Sequence, residues 1–192
     1  MMTTPLVDLA TLDDVKGYLG VSQVSANDDP LLKRLITSAS AYIRNYTTND
    51  ITTQTVTEWR KGNGRTNMAL RNTPITDVAS VTINGISVPN AMDDVEWATG
   101  YIYDSNFLYL RGFIFEKGMR NVKVVYTGGY ADPPVDIVQA CCEIVALIYR
   151  RRSWIGQSSK GMAGETTSFI QKEVAPETLA TLKRYNTVVP IV

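Results

Sequence analysis

The chain contains no histidine in 192 residues. That absence removes Ser-His-Asp and Cys-His catalysis, histidine-ligated zinc and the commonest general base near neutral pH. Cysteine is almost as scarce. Only Cys141 and Cys142 occur, so no four-cysteine zinc site can form within one chain. Neither glycine-rich phosphate motif is present. "KGNGRT" at 61–66 has two glycines but lacks the spacing and the strand-then-helix context, and reads as a hairpin turn on Asn63-Gly64. Charge of one sign is not in excess: 19 Lys and Arg oppose 19 Asp and Glu. Nucleic-acid-binding domains usually carry a strong basic excess, whereas zero net charge tolerates self-association. A membrane-length apolar run is also missing. The best candidate has 13 residues between Asp136 and Arg150, against a need of about 20, and Glu143 interrupts it. The start "MMTTPLVDLATLDD" has no basic region followed by an apolar core, so no signal peptide is expected and a reducing cytoplasm is.

Two carboxylate pairs, Asp28/Asp29 and Asp93/Asp94, remain as formal acid–base candidates. "NDDP" reads as a helix start, however, and "MDDVEW" lies between strand-like segments. No enzyme, cofactor or metal site is expected.

What is present divides into three zones, 1–50, 51–130 and 131–192. In the first, "LATLDDVKGYLG" at 9–20 reads as a short helix that Thr11 can cap, with Leu12, Val15 and Leu19 on one face and Gly20 as its stop. A longer helix follows over 28–46, capped by Asp28 or Asp29, with Pro30 in its first turn. Its face is Leu32, Leu35, Ile36, Ala39, Tyr42, Ile43 and Tyr46, at spacings of three and four. From Ile51 to Tyr130 the period changes. Short β-branched and aromatic segments alternate with turn signals such as Asn84-Gly85 and Gly128-Gly129. This zone predicts an inserted antiparallel sheet or barrel of about six strands. Its aromatic cluster, including Tyr101, Tyr103, Tyr109 and Phe115, reads as core filling rather than a base-stacking platform, because no run of lysine and arginine interleaves it.

The helical period returns in "ADPPVDIVQACCEIVALIYRRR". Pro133 and Pro134 set up the start, and Asp136 places negative charge in the first turn. Ile137, Cys141, Ile144 and Ile148 form one line; Val138, Cys142, Val145 and Tyr149 form the next. A helix apolar nearly all round must be buried on two sides, one against the domain's own core and the other against another subunit. The adjacent cysteines diverge by about 100° on a helix, cannot bridge each other, and read as small packing residues. After the helix, Arg150, Arg151, Arg152 and Lys160 lie in a glycine- and serine-rich stretch read as a long exposed loop. Two readings stay open for this cluster: a solvated helix end favoured by the dipole, or a surface facing DNA or an acidic partner. "APETLATLKRYNTVV" predicts a final short helix with Leu179, Leu182 and Tyr185 inward. The apolar tail "VVPIV" would then dock on a neighbour by strand addition or groove filling.

The order of these pieces resembles the head–tail connector (adaptor, or head-completion) proteins of tailed bacteriophages and related gene-transfer particles, in the longer form with a β insertion. It runs from "LDDVKGYLGV" and "DDPLLKRLITSASAYIRNYT" through "LRNTPITDVASVTINGISV" to "IGQSSKGMAGETTSF" and "PETLATLKRYNTVVP". The resemblance covers residues 9–190 and rests on packing and turn patterns in shared order, with no catalytic motif. It implies an α+β fold: a small bundle of about four helices with an inserted β domain. It implies a ring, usually of twelve copies, at the capsid–tail junction beneath the portal protein. The ring extends the DNA channel without sequence-specific binding and meets the stopper or tail-completion protein. Asn186, Thr187, Val188, Val189, Pro190, Ile191 and Val192 would be the portal-docking tail. Pro30–Tyr46 and Val135–Arg152 would make the ring body, with Ile137, Cys141, Ile144 and Ile148 at the subunit contact. The loop after Arg152 would lie near the channel or the next component. The alternative is a small nucleic-acid-binding or regulatory module using the β zone and the basic loop.

Overall fold

A computed structural model of the chain describes residues 7–20, 26–92, 97–152, 159–162, 165–168 and 174–186. They fall into two compact units: Met1–Thr47 with Pro133–Tyr185, and Thr48–Asp132 with Asn186–Val192. The fold is α+β, with four α-helices and antiparallel sheets among the described residues.

In the helical unit, α1 (Leu12–Leu19) opens on a capping box. The Asp14 backbone N–H donates to Thr11 Oγ1, and the Thr11 N–H donates back to the Asp14 carboxylate, which Thr11 holds below its ordinary pKa. Gly20 ends the helix at φ 68°, a left-handed position. A short 3₁₀ turn (Ala26–Asp28) leads into α2 (Asp29–Thr47), which buries Leu32, Ile36, Ala39 and Ile43. The carboxylates expected to cap α2 have other partners: Asp29 pairs with Lys16 at 2.7 Å, and Asp28 meets the end of α3. Helix α3 (Val135–Arg151) has no side-chain cap; the Pro134 carbonyl accepts from the N–H groups of Ile137 and Val138. Helix α4 (Pro176–Arg184) begins with Pro176 and buries Thr178 and Leu182. It is α3 that organises this unit, packing on α1, α2 and α4. The stretch read as an irregular loop holds two strands, β8 (Ser159–Met162) and β9 (Glu165–Ser168), paired as an antiparallel hairpin.

The second unit holds seven strands in two sheets. One is ordered β1 (Gln54–Gly62), β7 (Gly118–Gly128), β3 (Ile75–Ile83), β4 (Ile86–Val88). The other is β2 (Asn67–Ala69), β6 (Phe107–Arg111), β5 (Gly100–Tyr103). Of the two expected forms this is open sheets, not a closed barrel. The β3–β4 hairpin turns on Asn84-Gly85, both at positive φ, 52° and 83°, as a two-residue hairpin loop requires. Val81, Leu108, Phe115, Val122, Val124 and Tyr126 are fully buried in a shared core. Tyr101 is buried as well, with its hydroxyl donating to the Val78 carbonyl at 2.9 Å. The aromatic cluster therefore mainly fills the core.

Candidate functional site

The sequence contains no histidine and no recognised catalytic motif, so the candidate sites considered first are surfaces. Ile137, Cys141 and Ile144 are all buried within the single chain. Within one chain these three side chains are covered by the helical unit itself, and the subunit contact expected at Ile137, Cys141, Ile144 and Ile148 is a matter between copies. The second buried side of the helix is intramolecular. Ile148, at 38% exposure, is the member of that line that still faces outward. Sequence periodicity shows how much of a helix is apolar and cannot show whose atoms cover it.

The cysteines lie deep in this unit. Cys141 Sγ is 3.8 Å from Ser40 Oγ, which accepts from the Leu9 N–H at 2.9 Å. Burial pushes the Cys141 thiol up to about 12 and the Cys142 thiol up to about 11. Neither supplies a thiolate near neutral pH. Among the described residues no group of three or more His, Cys, Asp or Glu could hold a metal ion.

At the C-terminal end of α3 the arginines separate. Arg152 is drawn into a network: its two Nη atoms donate to both Asp28 carboxylate oxygens at 3.2 Å, and Nη2 donates to Tyr149 Oη at 2.9 Å. Tyr149 donates to Asp28 at 2.7 Å, and the guanidinium lies 4.0 Å from the Tyr149 ring centre. The Arg152 hydrogen bond, then that of Tyr149, holds Asp28 below the ordinary carboxylate range. Arg152 thus ties α3 to the 3₁₀ turn, 124 residues away in sequence. Arg150 is exposed and Arg151 half-buried. Lys160 lies on β8, and its side chain is outside the described residues, as are Thr187, Val188, Val189, Pro190, Ile191 and Val192. Asn186 is described, and its Oδ1 lies 3.5 Å from Thr48 Oγ1.

Polar ties also set α4. Tyr185 donates to Asp136 at 2.7 and 2.9 Å, and Thr178 donates to Glu143, which also accepts from Gln139 at 3.0 Å. The two acids on the narrow polar edge of α3 are therefore the docking points for α4.

The sheet unit carries features that sequence reasoning missed. One is a buried polar chain: the Asn72 N–H donates to Tyr126 Oη at 2.9 Å, and Tyr126 donates to Glu58 at 2.8 Å. Burial, then the Glu58 charge, pushes the tyrosine hydroxyl well above its ordinary value. The other is a bulge. Arg60 pairs with Val122 and Gly62 with Gly118, so Lys61 alone opposes Met119, Arg120 and Asn121. The Asn121 side chain turns back to accept from the Gly62 N–H at 2.9 Å and to donate to Asn84 at 3.0 Å and to the Glu116 carbonyl at 2.8 Å. Beside it lies an open groove of about 570 Å³, lined by Ile83, Ile86, Val88, Phe113 and Ile114 among others. The "KGNGRT" turn pointed to this place, but its register against β7 lies in no local pattern.

Comparison with known proteins gives two results and one blank. A sequence profile for the family described as head completion protein matches residues 8–188. Among solved structures, a chain from the neck of an empty gene transfer agent particle matches at 20% identity and a TM-score of 0.57, covering 98% of this chain and 96% of that one. A chain from the virion of a native gene transfer agent particle matches at 18% identity and a TM-score of 0.59, covering 98% and 94%. No curated protein matches.

Proposed function

This chain belongs to the head completion protein family, and from that premise we propose that it is a non-enzymatic head–tail connector, assembling as a ring below the portal of a tailed particle. The observation that carries the reading is the family match over nearly the whole chain, residues 8–188. The absence of histidine and the two buried, protonated thiols agree with it. A ring subunit needs two heterologous faces, each complementary to the other rather than to itself. The outward positions of α3, Ile148 with Val135, supply exposed apolar area for one of them. The segment Asn186–Val192 is the portal-docking element, and the opposite end of the ring receives the stopper. In this reading twelve copies surround the DNA channel, and DNA passes without sequence readout.

Deleting Asn186–Val192 tests the docking claim. The truncated chain should keep its circular dichroism spectrum and lose binding to portal protein; binding at the wild-type level overturns the tail assignment. Micrographs of particles carrying a labelled copy should place it beneath the portal, and label elsewhere on the particle sinks the connector reading.

A further inference from the structure

The end of the sheet unit that holds the bulge is built to present charge. Asn121 fastens it through three side-chain hydrogen bonds, and two backbone bonds, Gly64 N–H to the Phe115 carbonyl and Phe115 N–H to the Arg65 carbonyl, lock the β1–β2 turn to the β6–β7 connection. The fit is close: a Cβ on Gly62 would lie 1.7 Å from the Glu116 carbonyl oxygen. Lys117 lies over Gly64, within 3.1 Å of where its Cβ would be. Arg120 is held at φ 51°, a left-handed conformation that a long side chain rarely adopts, and bulges commonly re-aim side chains in this way.

Four cations are exposed on this framework: Lys61, Arg65, Lys117 and Arg120. None of their side chains makes a hydrogen bond or ion pair among the described residues. The one acid among them, Glu116, already accepts from Asn84. In a chain of zero net charge this is a local excess of four cations over one acid. Two of the four, Arg65 and Lys117, are the chain neighbours of the groove residues Thr66 and Glu116. Ile86 and Ile114 line the groove at 69% and 50% exposure, and Met119 on the bulge is 82% exposed. An apolar slot beside cations that have no partner among the described residues suits a protein segment with an apolar anchor among carboxylates; a phosphate backbone alone would leave the slot unused.

The chain itself carries such a segment. Residues 92–97 read Met-Asp-Asp-Val-Glu-Trp, three acids between two large apolar side chains. Trp97 is 86% exposed, so it is not seated in the groove of its own chain. We infer that the groove beside the β7 bulge receives the 92–97 segment of a second copy, with Lys61, Arg65, Lys117 and Arg120 meeting Asp93, Asp94 and Glu96. A copy that gives its segment to one neighbour keeps its groove for another, which is the heterologous geometry that closes rings. For the ring this deepens the connector reading and rests on it; the contact itself does not.

Charge exchange tests it on the full-length chain. One variant carries Lys61→Glu, Arg65→Glu and Lys117→Glu; the other carries Asp93→Lys, Asp94→Lys and Glu96→Lys. Circular dichroism checks that both fold. Sedimentation velocity over a concentration series should show self-association of the wild type, weakened about tenfold or more in either variant alone and restored when the two are mixed in equal amounts. Association unchanged in either variant, failure of the mixture to associate, or a wild type monomeric at every concentration overturns the contact. Loss of duplex DNA binding by the first variant with self-association intact would assign the cations to a phosphate backbone instead, and also overturns it. A chain that passes these tests yet is absent from particle necks would leave the contact standing and remove the connector reading.

Discussion

The two units dispose of apolar surface in opposite ways. In the helical unit the most apolar element, α3, buries the middle of its apolar face against α1, α2 and α4, leaves Val135 and Ile148 exposed near its ends, and uses its polar edge to hold α4. In the sheet unit the core is equally well buried, yet Ile86, Ile114 and Met119 stay exposed beside cations with no partner among the described residues. The more hydrophobic sequence thus makes the quieter surface. Apolar composition marks what must be covered. Exposure after folding marks what is left for a partner.

The comparison can be broken first inside the helical unit. Ile137→Ala opens a cavity at a fully buried position of the helical unit and should cost about 2–5 kcal/mol in denaturant unfolding. Ile148→Ser should change stability by less than about 0.5 kcal/mol while weakening ring assembly. Equal losses of stability from the two substitutions would mean that α3 is not divided into a core line and an outward residue. Next in size is Tyr126→Phe in the sheet unit. It strands the Asn72 N–H and removes one donor from the Glu58 carboxylate, which keeps Arg60 and the Arg71 N–H, at about 1–3 kcal/mol, and the urea midpoint should fall with the slope unchanged.

A pH effect follows from Cys141. Its thiol titrates higher in the folded chain, at about 12 against an ordinary 9.0, so the unfolded chain loses its proton first. Stability should be full below the ordinary value and decline as pH rises from there toward about 12. The comparison is with Cys141→Ala, in which this share of the alkaline decline should disappear; an identical pH profile in the two proteins would refute it. The smallest expected effect is at the surface. Arg152→Ser removes the larger of the two hydrogen-bond partners that hold the Asp28 pKa low and leaves Tyr149, so the Arg152 contribution is present above the ordinary carboxylate range and lost as pH falls through the depressed value. The small difference in thermal midpoint between this variant and the wild type should vanish in acid.

Much of the fold was legible because its signals are local. Thr11 and Gly20 bound α1, Pro133 and Pro134 precede α3, and Asn84-Gly85 makes a two-residue hairpin. Each is a choice made within a few residues, where backbone preference decides. The misses concern pairings between distant residues. Asp28 looked like a cap and is the partner of Arg152. The β8–β9 hairpin lies in a stretch where glycines and serines mask strand propensity. At the candidate site, "KGNGRT" located the turn, but the bulge, the Asn121 anchor and the groove arise from register between strands more than 50 residues apart. The basic cluster chosen from sequence, Arg150–Arg152, was conspicuous because it is contiguous. The cations at the bulge are scattered along the chain and gathered only by folding.

The adjacent thiols have a consequence for the lifetime of an assembled particle. Cys141 and Cys142 are both buried and both free, and successive positions on a helix diverge too far to join. A disulfide, within a copy or between copies, would first require α3 to leave its three neighbouring helices. Air oxidation therefore has no easy route to crosslink the chain through these thiols, and disulfide formation should not distinguish assembly in reducing from assembly in oxidising surroundings.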